Sequence, residues 1–567
     1  MTSKMKWWHS AIGYQIYPKS FQDTNHDGIG DIAGITQHLD HLTDLGVDVV
    51  WISPVILAPM MDHGYDISDY YQIDPSFGSN EDFSELLAKA GEKGIKILMD
   101  LVINHTSTEH PWFKAAMADL DSEYADYYVI KEGRENGAPP NNWRSMFGGS
   151  AWEKIPGTNN KFYLHLFTVG QPDLNWENPK LRQKLYEMIR YWLDQGVAGF
   201  RIDAIAHIKK IYDEKIISPD GPDGLATVWE QYRNACGIGE FLKEMREATF
   251  ADSDVLTIAE MDVPDPDQWL EYFGDNGYFS SIFDFYHTPY TIQEEKYQQD
   301  PAAFVDLLKQ KLYKKQVLAN DRVFFTNFLE NHDLSRMPDR LIPQKDISFD
   351  SITAWSMMYF FLRGIPVIYQ GQEIGMRDYP KTSIDGYLDL ATHNSYRDYL
   401  LRGLTPAAAL AKINQECREN SRTPMQWDAG NFAGFSEVSP WFAVNPNYPQ
   451  VNVARQAAEP DSLLNFFKKM TSLRKSEKLA PLMIYGRTVP VLQEVRGLVA
   501  YYREREGQRL VVVANLTANM QKIPLKKAVN EPLLNNLPGF IQTAAYGELQ
   551  PYQSVIWYET GGESLAT

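Results

Sequence analysis

Asn178-Pro179-Lys180-Leu181-Arg182-Gln183-Lys184-Leu185-Tyr186-Glu187-Met188-Ile189-Arg190-Tyr191-Trp192-Leu193-Asp194-Gln195-Gly196-Val197-Ala198-Gly199-Phe200-Arg201-Ile202-Asp203 holds one complete helix-to-strand unit. Asn178 offers a side-chain cap, and Pro179 is a first helical residue whose nitrogen needs no partner. Leu181, Leu185, Met188, Ile189 and Trp192 recur at helical spacing, and Gly196 ends the helix. The strand that follows, Gly199 to Asp203, closes on an Arg and an Asp. Charges at the end of a buried strand do nothing for packing. In an α/β barrel, that end of the strand is where reacting groups sit.

The same texture continues on both sides. Short apolar runs at Gly13–Tyr17, Val49–Ser53, Lys96–Val102, Val255–Ala259, Phe324–Leu329 and Pro366–Tyr369 each give way to polar or charged residues. Runs of this kind between amphipathic helices predict buried parallel strands. The rhythm lapses between Asn104 and about Asp173, a stretch rich in Gly, Asn, Trp and Tyr, and again from Asp378 to Ala454, which reads as irregular. From about Thr488, Leu498–Tyr502, Leu510–Leu516 and Val555–Tyr558 read as antiparallel strands. The 567 residues exceed what one core holds. The expected architecture is α/β: a (β/α)8 TIM barrel over residues 1–104 and 174–487, a loop-rich inserted domain over 105–173 after strand three, and a C-terminal antiparallel β-sandwich domain over 488–567.

Composition narrows the function. A net charge of −20 speaks against nucleic acid, whose phosphates need clustered Lys and Arg, and raises no objection to a neutral ligand. Aromatics make up 13%, which fills cores and also suits stacking on sugar rings. Cys236 and Cys417 form no CxxC pair, so neither a disulfide framework nor a zinc site is expected. No apolar segment follows the lysines of Met1 to Trp8, and Trp355–Tyr369 is too short to span a bilayer. The expectation is a cytoplasmic protein, monomeric or homodimeric, with no membrane partner.

Three carboxylates stand at strand ends: Asp203, Glu260 after Leu-Thr-Ile-Ala, and Asp333 in Glu-Asn-His-Asp. Taken singly, each also suits a cap or a solvated surface. Together they suit glycoside cleavage, in which one acid protonates the leaving oxygen and one carboxylate attacks the anomeric carbon.

Asp100-Leu-Val-Ile-Asn-His105, Gly199-Phe-Arg-Ile-Asp203, the Glu260 strand and Phe328-Leu-Glu-Asn-His-Asp333 resemble the four ordered motifs of the α-amylase family, glycoside hydrolase family 13. Gln171-Pro-Asp-Leu-Asn-Trp176 resembles the further motif of its oligo-1,6-glucosidase branch. The resemblance implies Asp203 as nucleophile, Glu260 as general acid and base, and Asp333 as the carboxylate holding the 2- and 3-hydroxyls of the glucosyl unit. It implies that Arg201 keeps Asp203 ionised and that His105 and His332 bind hydroxyls. Tyr65, in Met61-Asp62-His-Gly-Tyr65-Asp66, would stack on the sugar, with Phe167 lining the same site. Asp62, paired with Arg422 of Ser421-Arg422-Thr-Pro-Met-Gln-Trp427, would close one end of the cleft, so that only a chain terminus enters. A structural ion pair is the alternative reading of that pair.

Asp23-Thr-Asn25-His-Asp27-Gly28-Ile29-Gly-Asp31 offers alternate oxygens from Asp23, Asn25, Asp27, the Ile29 carbonyl and Asp31, a donor set for a hard cation. The resemblance places a structural Ca2+ there, with Mg2+ able to substitute. Solvated acids in a turn are the alternative, and no organic cofactor is expected. The expected activity is a retaining, exo-acting α-glucosidase on short oligosaccharides. Ala204, where the branch often has Val in α-1,6 enzymes, leans towards α-1,4 bonds, whereas Ala259 and Ser335 depart from the branch pattern. Rival readings are oligo-1,6-glucosidase, trehalose-6-phosphate hydrolase (which needs a basic cluster at the pocket mouth, whereas Lys209 and Lys210 read first as a solvated helix face), sucrose isomerase or another transglucosylase, and an inactive barrel like the heavy chains of amino-acid transporters.

Overall fold

The computed structural model describes residues 5–561 and 563–565. The first four residues, part of the Met1 to Trp8 stretch considered above, lie outside them. Eight parallel strands close into a barrel: β1 Gly13–Ile16, β2 Val49–Ile52, β3 Lys96–Val102, β4 Gly199–Asp203, β5 Leu256–Ala259, β6 Ser281–Phe283, β7 Phe325–Asn327 and β8 Ile365–Tyr369. Round the ring each strand neighbours the next in chain order, and β8 closes on β1.

The apolar runs follow from burial on both faces. Trp51, Leu98, Ile258, Phe283 and Val367 fill the barrel, while Val50, Ile97, Phe200 and Ile202 face the surrounding helices. The helix Pro179–Asp194 forms as read: the Asn178 side chain accepts from the backbone N–H groups of Lys180 and Leu181, and the helix buries Leu181, Leu185, Met188, Ile189 and Trp192. Gly199 starts β4 at φ 144°, where a Cβ would lie 1.9 Å from the Leu256 carbonyl oxygen, so β4 and β5 approach this closely only at a glycine. β6 escaped the sequence reading, because Ser-Ile-Phe is too short to show a period.

Between β3 and β4 the inserted segment carries the helix Pro111–Ala118 and an antiparallel sheet of Ile130–Glu132, Lys161–Leu164 and Trp152–Lys154, with Lys161–Leu164 central. The stretch after β8, read as irregular, holds two helices, Leu390–Leu401 and Pro406–Glu416, capped by Asp389 and Thr405. They bury only Thr392, Ala409 and Ile413, too few apolar positions to print a helical pattern.

The C-terminal region has a five-stranded antiparallel sheet facing a three-stranded one. Leu498, Ala500, Tyr502, Val511, Val513 and Trp557 pack with Ile523 and Leu549 between the sheets. The alternate residues Val499, Tyr501, Leu510, Val512 and Ile556 turn the other way and join the barrel's helical core. Tyr501 Oη donates to the Met358 carbonyl across that junction (2.9 Å). Among the described residues no helix is long and apolar enough to cross a membrane.

Candidate active site

Strand register assembles the site. Ile202 lies opposite Ala259, so the next residues, Asp203 and Glu260, emerge side by side at the C-terminal rim. Asp100 sits opposite Arg201 across β3 and β4. The Arg201 guanidinium is shared three ways: Nη1 lies 2.8 Å from Asp100 Oδ1 and 2.7 Å from Asp203 Oδ1, and Nη2 lies 2.9 Å from Glu260 Oε2. One cation thus holds two of the three carboxylates that the motifs single out, Asp203 and Glu260.

Three carboxylates around one guanidinium leave an excess of negative charge when all are ionised. Burial pushes the Asp203 carboxyl well above its ordinary range. Arg201 opposes that rise, and Glu260 and Asp100 add to it. Asp100 is likewise pushed up to about 6 by burial, against the pull of Arg201. The cluster therefore retains a proton more readily than isolated carboxyls do.

Asp333 sits in the opposite electrostatic setting. Its Oδ1 accepts from Arg422 Nη2 at 2.9 Å and from Arg418 Nη1 at 3.4 Å, and its Oδ2 lies 3.2 Å from His332 Nε2. Burial works against its charge, but His332, Arg422, Arg418 and Arg201 outweigh burial and hold the carboxyl well below the usual range. His332 is pushed down to about 3 and His105 to about 4, chiefly by burial, so both are neutral at pH 7. Tyr65 lies parallel to His332, its ring 5.5 Å away at 9°, with its hydroxyl 2.7 Å from Nε2. Phe167 packs 5.0 Å from His105 and 5.5 Å from Phe147.

The partner of Asp62 differs from the expectation. Arg418 Nη2, not Arg422, meets Asp62 Oδ1 at 2.8 Å, while Arg422 turns to Asp333 and donates from Nε to the His332 carbonyl. Asp389 decides the matter: its carboxylate takes Arg418 Nε and Nη2 at 2.5 and 2.9 Å and swings that side chain over the Phe147 ring towards Asp62. Asp389 caps the Leu390–Leu401 helix, which the sequence reading did not foresee, so no local signal separated Arg418 from Arg422. Gln171 is a further site residue that its motif does not single out. Its amide nitrogen lies 3.0 Å from both Asp62 Oδ2 and His105 Nε2. Arg422 Nη1 is buried with no hydrogen-bond partner among the described residues, which leaves a donor for a bound hydroxyl or water.

The two lysines are accounted for within the fold. Lys210 Nζ meets Asp173 Oδ2 at 2.9 Å and Asn104 Oδ1 at 2.8 Å, and Lys209 pairs with Glu177.

The Asp23–Asp31 loop is held by hydrogen bonds of its own. Asp23 is buried and accepts from the N–H groups of His26 and Gly28 and from Ser436 Oγ. Asn25 and Asp27 each accept from the N–H two residues on. Asp31 caps the helix that follows by accepting from Gly34 and is also bonded by Thr24. Among the described residues no three His, Cys, Asp or Glu side chains group for a metal. The loop's donors are instead a mixture of carboxylate, amide and peptide oxygens.

Residues 15–482 match the model of the α-amylase catalytic domain, and residues 498–556 match that of the α-amylase SusG C-terminal domain. The chain is 41% identical over 517 residues to a probable oligo-1,6-glucosidase 3 of Bacillus subtilis, covering 91% of each chain. It is 41% identical over 486 residues to an α-glucosidase of Pediococcus pentosaceus, covering 84% of this chain and 86% of that one. Among solved structures, the isomaltulose synthase SmuA from Protaminobacter rubrum superposes with a TM-score of 0.90 at 33% identity, covering 98% of this chain and all of that one. With its barrel, its ordered motifs and relatives that align along almost its whole length, the chain belongs to the α-amylase family, glycoside hydrolase family 13, and is a glycoside hydrolase.

Proposed function

We propose that the protein is a retaining, exo-acting α-glucosidase that releases glucose from the non-reducing end of short α-glucosides. The observation that carries this reading is the sharing of one guanidinium by Asp203 and Glu260. That contact favours the short separation of direct attack, about 5–5.5 Å, over the wider gap that admits an intervening water.

Asp203 Oδ1 is tied to Arg201, which leaves Oδ2 to attack the anomeric carbon. As that bond forms, the bond to the leaving oxygen breaks, and that oxygen takes the proton of Glu260. The product is a β-glucosyl ester on Asp203. Water then gives its proton to Glu260 and its oxygen to the anomeric carbon, freeing Asp203 and releasing α-glucose. For this sequence of steps Asp203 must enter as the carboxylate and Glu260 as the acid. Asp333, ionised and backed by Arg418 and Arg422, would grip ring hydroxyls and favour the oxocarbenium-like transition state. The Asp62–Arg418–Asp389 bridge would seal the far end of the pocket, which supports exo-action.

Two observations bear on linkage. Ala204 beside the nucleophile leaves room that favours α-1,4 acceptors, a difference worth about 1–3 kcal/mol. The Bacillus subtilis relative carries the α-1,6 name. Initial rates on maltose, isomaltose, sucrose, trehalose 6-phosphate and starch, with the released anomer followed by NMR, separate the readings. The expected outcome is α-glucose first, fast cleavage of maltose and isomaltose, and slow attack on starch. Starch cut faster than either disaccharide, or β-glucose released first, overturns the proposal. The trehalose-6-phosphate reading loses its basic cluster, because Lys209 and Lys210 are engaged by Glu177 and Asp173.

The Asp23–Asp31 loop is proposed as a Ca2+ site held by Asp23, Asn25, Asp27, the Ile29 carbonyl and Asp31. Their oxygens keep lone pairs after the bonds described, and an all-oxygen set suits this ion. The ion would brace the loop and take no part in bond cleavage. Saturating Ca2+ at about 100 times its Kd should stabilise the fold by roughly 2.7 kcal/mol. An unchanged melting temperature between chelator and Ca2+ sinks the assignment.

A further inference from the structure

Asn104 and His105 follow β3, and both side chains are buried. Behind them Lys210 and Asp173 form an ion pair that is buried as well. Lys210 Nζ lies 2.8 Å from Asn104 Oδ1 and 2.9 Å from Asp173 Oδ2. An ammonium offers only hydrogens, so the amide atom that faces it must be the oxygen. Asp173 reads the other end of the amide, with Oδ2 at 3.3 Å from Asn104 Nδ2. Burial works against the charge on Lys210, and Asp173 opposes that fall. The Asn104 amide therefore has one orientation, with its NH2 group 3.1 Å from His105 Nδ1.

A neutral imidazole carries its one proton on either of two nitrogens. On Nε2, the proton is donated to the Tyr65 carbonyl at 3.1 Å, and Nδ1 accepts from Asn104. On Nδ1, it would face the Asn104 NH2, and a bare Nε2 would face the Tyr65 carbonyl. The one bond gained would come from Gln171 Nε2, 3.0 Å from His105 Nε2 and fixed there because Gln171 Oε1 accepts from the Thr168 N–H. Two hydrogen bonds against one decide for Nε2. We infer that Lys210 is a positioning residue for His105: with Asp173 it locks the Asn104 amide NH2 towards Nδ1, so that Nε2 enters the pocket as an N–H donor. This inference rests on the α-glucosidase reading, in which His105 meets sugar hydroxyls. A hydroxyl oxygen of the bound glucose then takes the N–H that otherwise goes to the Tyr65 carbonyl.

The test reads the ring protons directly. Protein with 15N in its 12 histidines gives long-range 1H–15N ring correlations, and His105→Leu identifies the His105 set by its loss. Wild type is expected to show a bare Nδ1 and a protonated Nε2. Lys210→Met combined with Asp173→Asn frees the Asn104 amide without leaving a buried charge unpaired. In that variant part of the proton should move to Nδ1, and kcat/KM on 4-nitrophenyl α-glucoside should fall in step with the fraction protonated on Nε2. Asn104→Asp sets an acceptor against Nδ1 and serves if the double variant does not fold. There Nδ1 should take the proton, and at a pH where the ring carries only one, kcat/KM should fall about tenfold, as loss of a buried donor implies. A wild-type proton on Nδ1, a wild-type tautomer in whichever variant folds, or a moved proton with unchanged rates overturns the inference. Failure of the α-glucosidase reading is distinguishable, because wild type would then leave the aryl α-glucoside uncut whatever the tautomer.

Discussion

Asp203→Asn is expected to fold normally and to lose roughly 10^4- to 10^6-fold in kcat, as removal of a nucleophile does in other covalent mechanisms. Asparagine keeps an Oδ1 that can accept from Arg201 Nη1, so the pocket's geometry survives. What disappears is the negative oxygen that attacks carbon. The same substitution should raise the melting temperature at neutral pH. The Asp203 carboxyl titrates in the folded protein above its unfolded value of about 3.9. The folded state therefore binds this proton more tightly than the unfolded state does. The resulting stabilisation is fully present below about pH 3.9 and is lost as pH rises through the folded value, leaving a cost at pH 7. Replacing Asp203 by a neutral isostere removes that cost. Thermal melts and initial rates on one preparation check both halves. Wild-type turnover would end the assignment of Asp203, and a lowered melting temperature would end the electrostatic account of the cluster.

Glu260→Gln should divide the reaction by leaving group. On a disaccharide the first step loses its acid, and kcat/KM should fall by about 10^2- to 10^4-fold. On 4-nitrophenyl α-glucoside the phenolate departs unaided, so one equivalent of phenol should appear in a burst. The glucosyl ester then waits for a water that no base activates. Azide needs no base, and adding it should restore turnover and give α-glucosyl azide, since it attacks the face from which the phenol left. An equal loss on both substrates, with no burst, would mean that Glu260 has no acid role.

Local features were legible from sequence wherever a pattern repeats within one element. The Asn178 cap, the helical spacing from Leu181 to Trp192 and the charged end of β4 placed that unit correctly, because each signal acts within a few residues. β6 was too short to show a period. The helices after β8 were hidden because one face buries almost nothing. The identity of the arginine facing Asp62 depended on Asp389, 29 residues before Arg418 in the chain, a choice made by folding and not by neighbours. The carboxylates were the reverse case, because strand ends in a closed barrel must converge at one rim.

The C-terminal sheet, with one face in its own sandwich and the other against the barrel's helices, bears on how this protein can be recombined. Fusing the barrel to a sister enzyme's tail would set foreign side chains against Met358 and its neighbours. Such chimaeras should inherit function only when Tyr501, Val512 and Ile556 travel with a matching docking helix, so the two parts are heritable as a pair rather than as interchangeable modules.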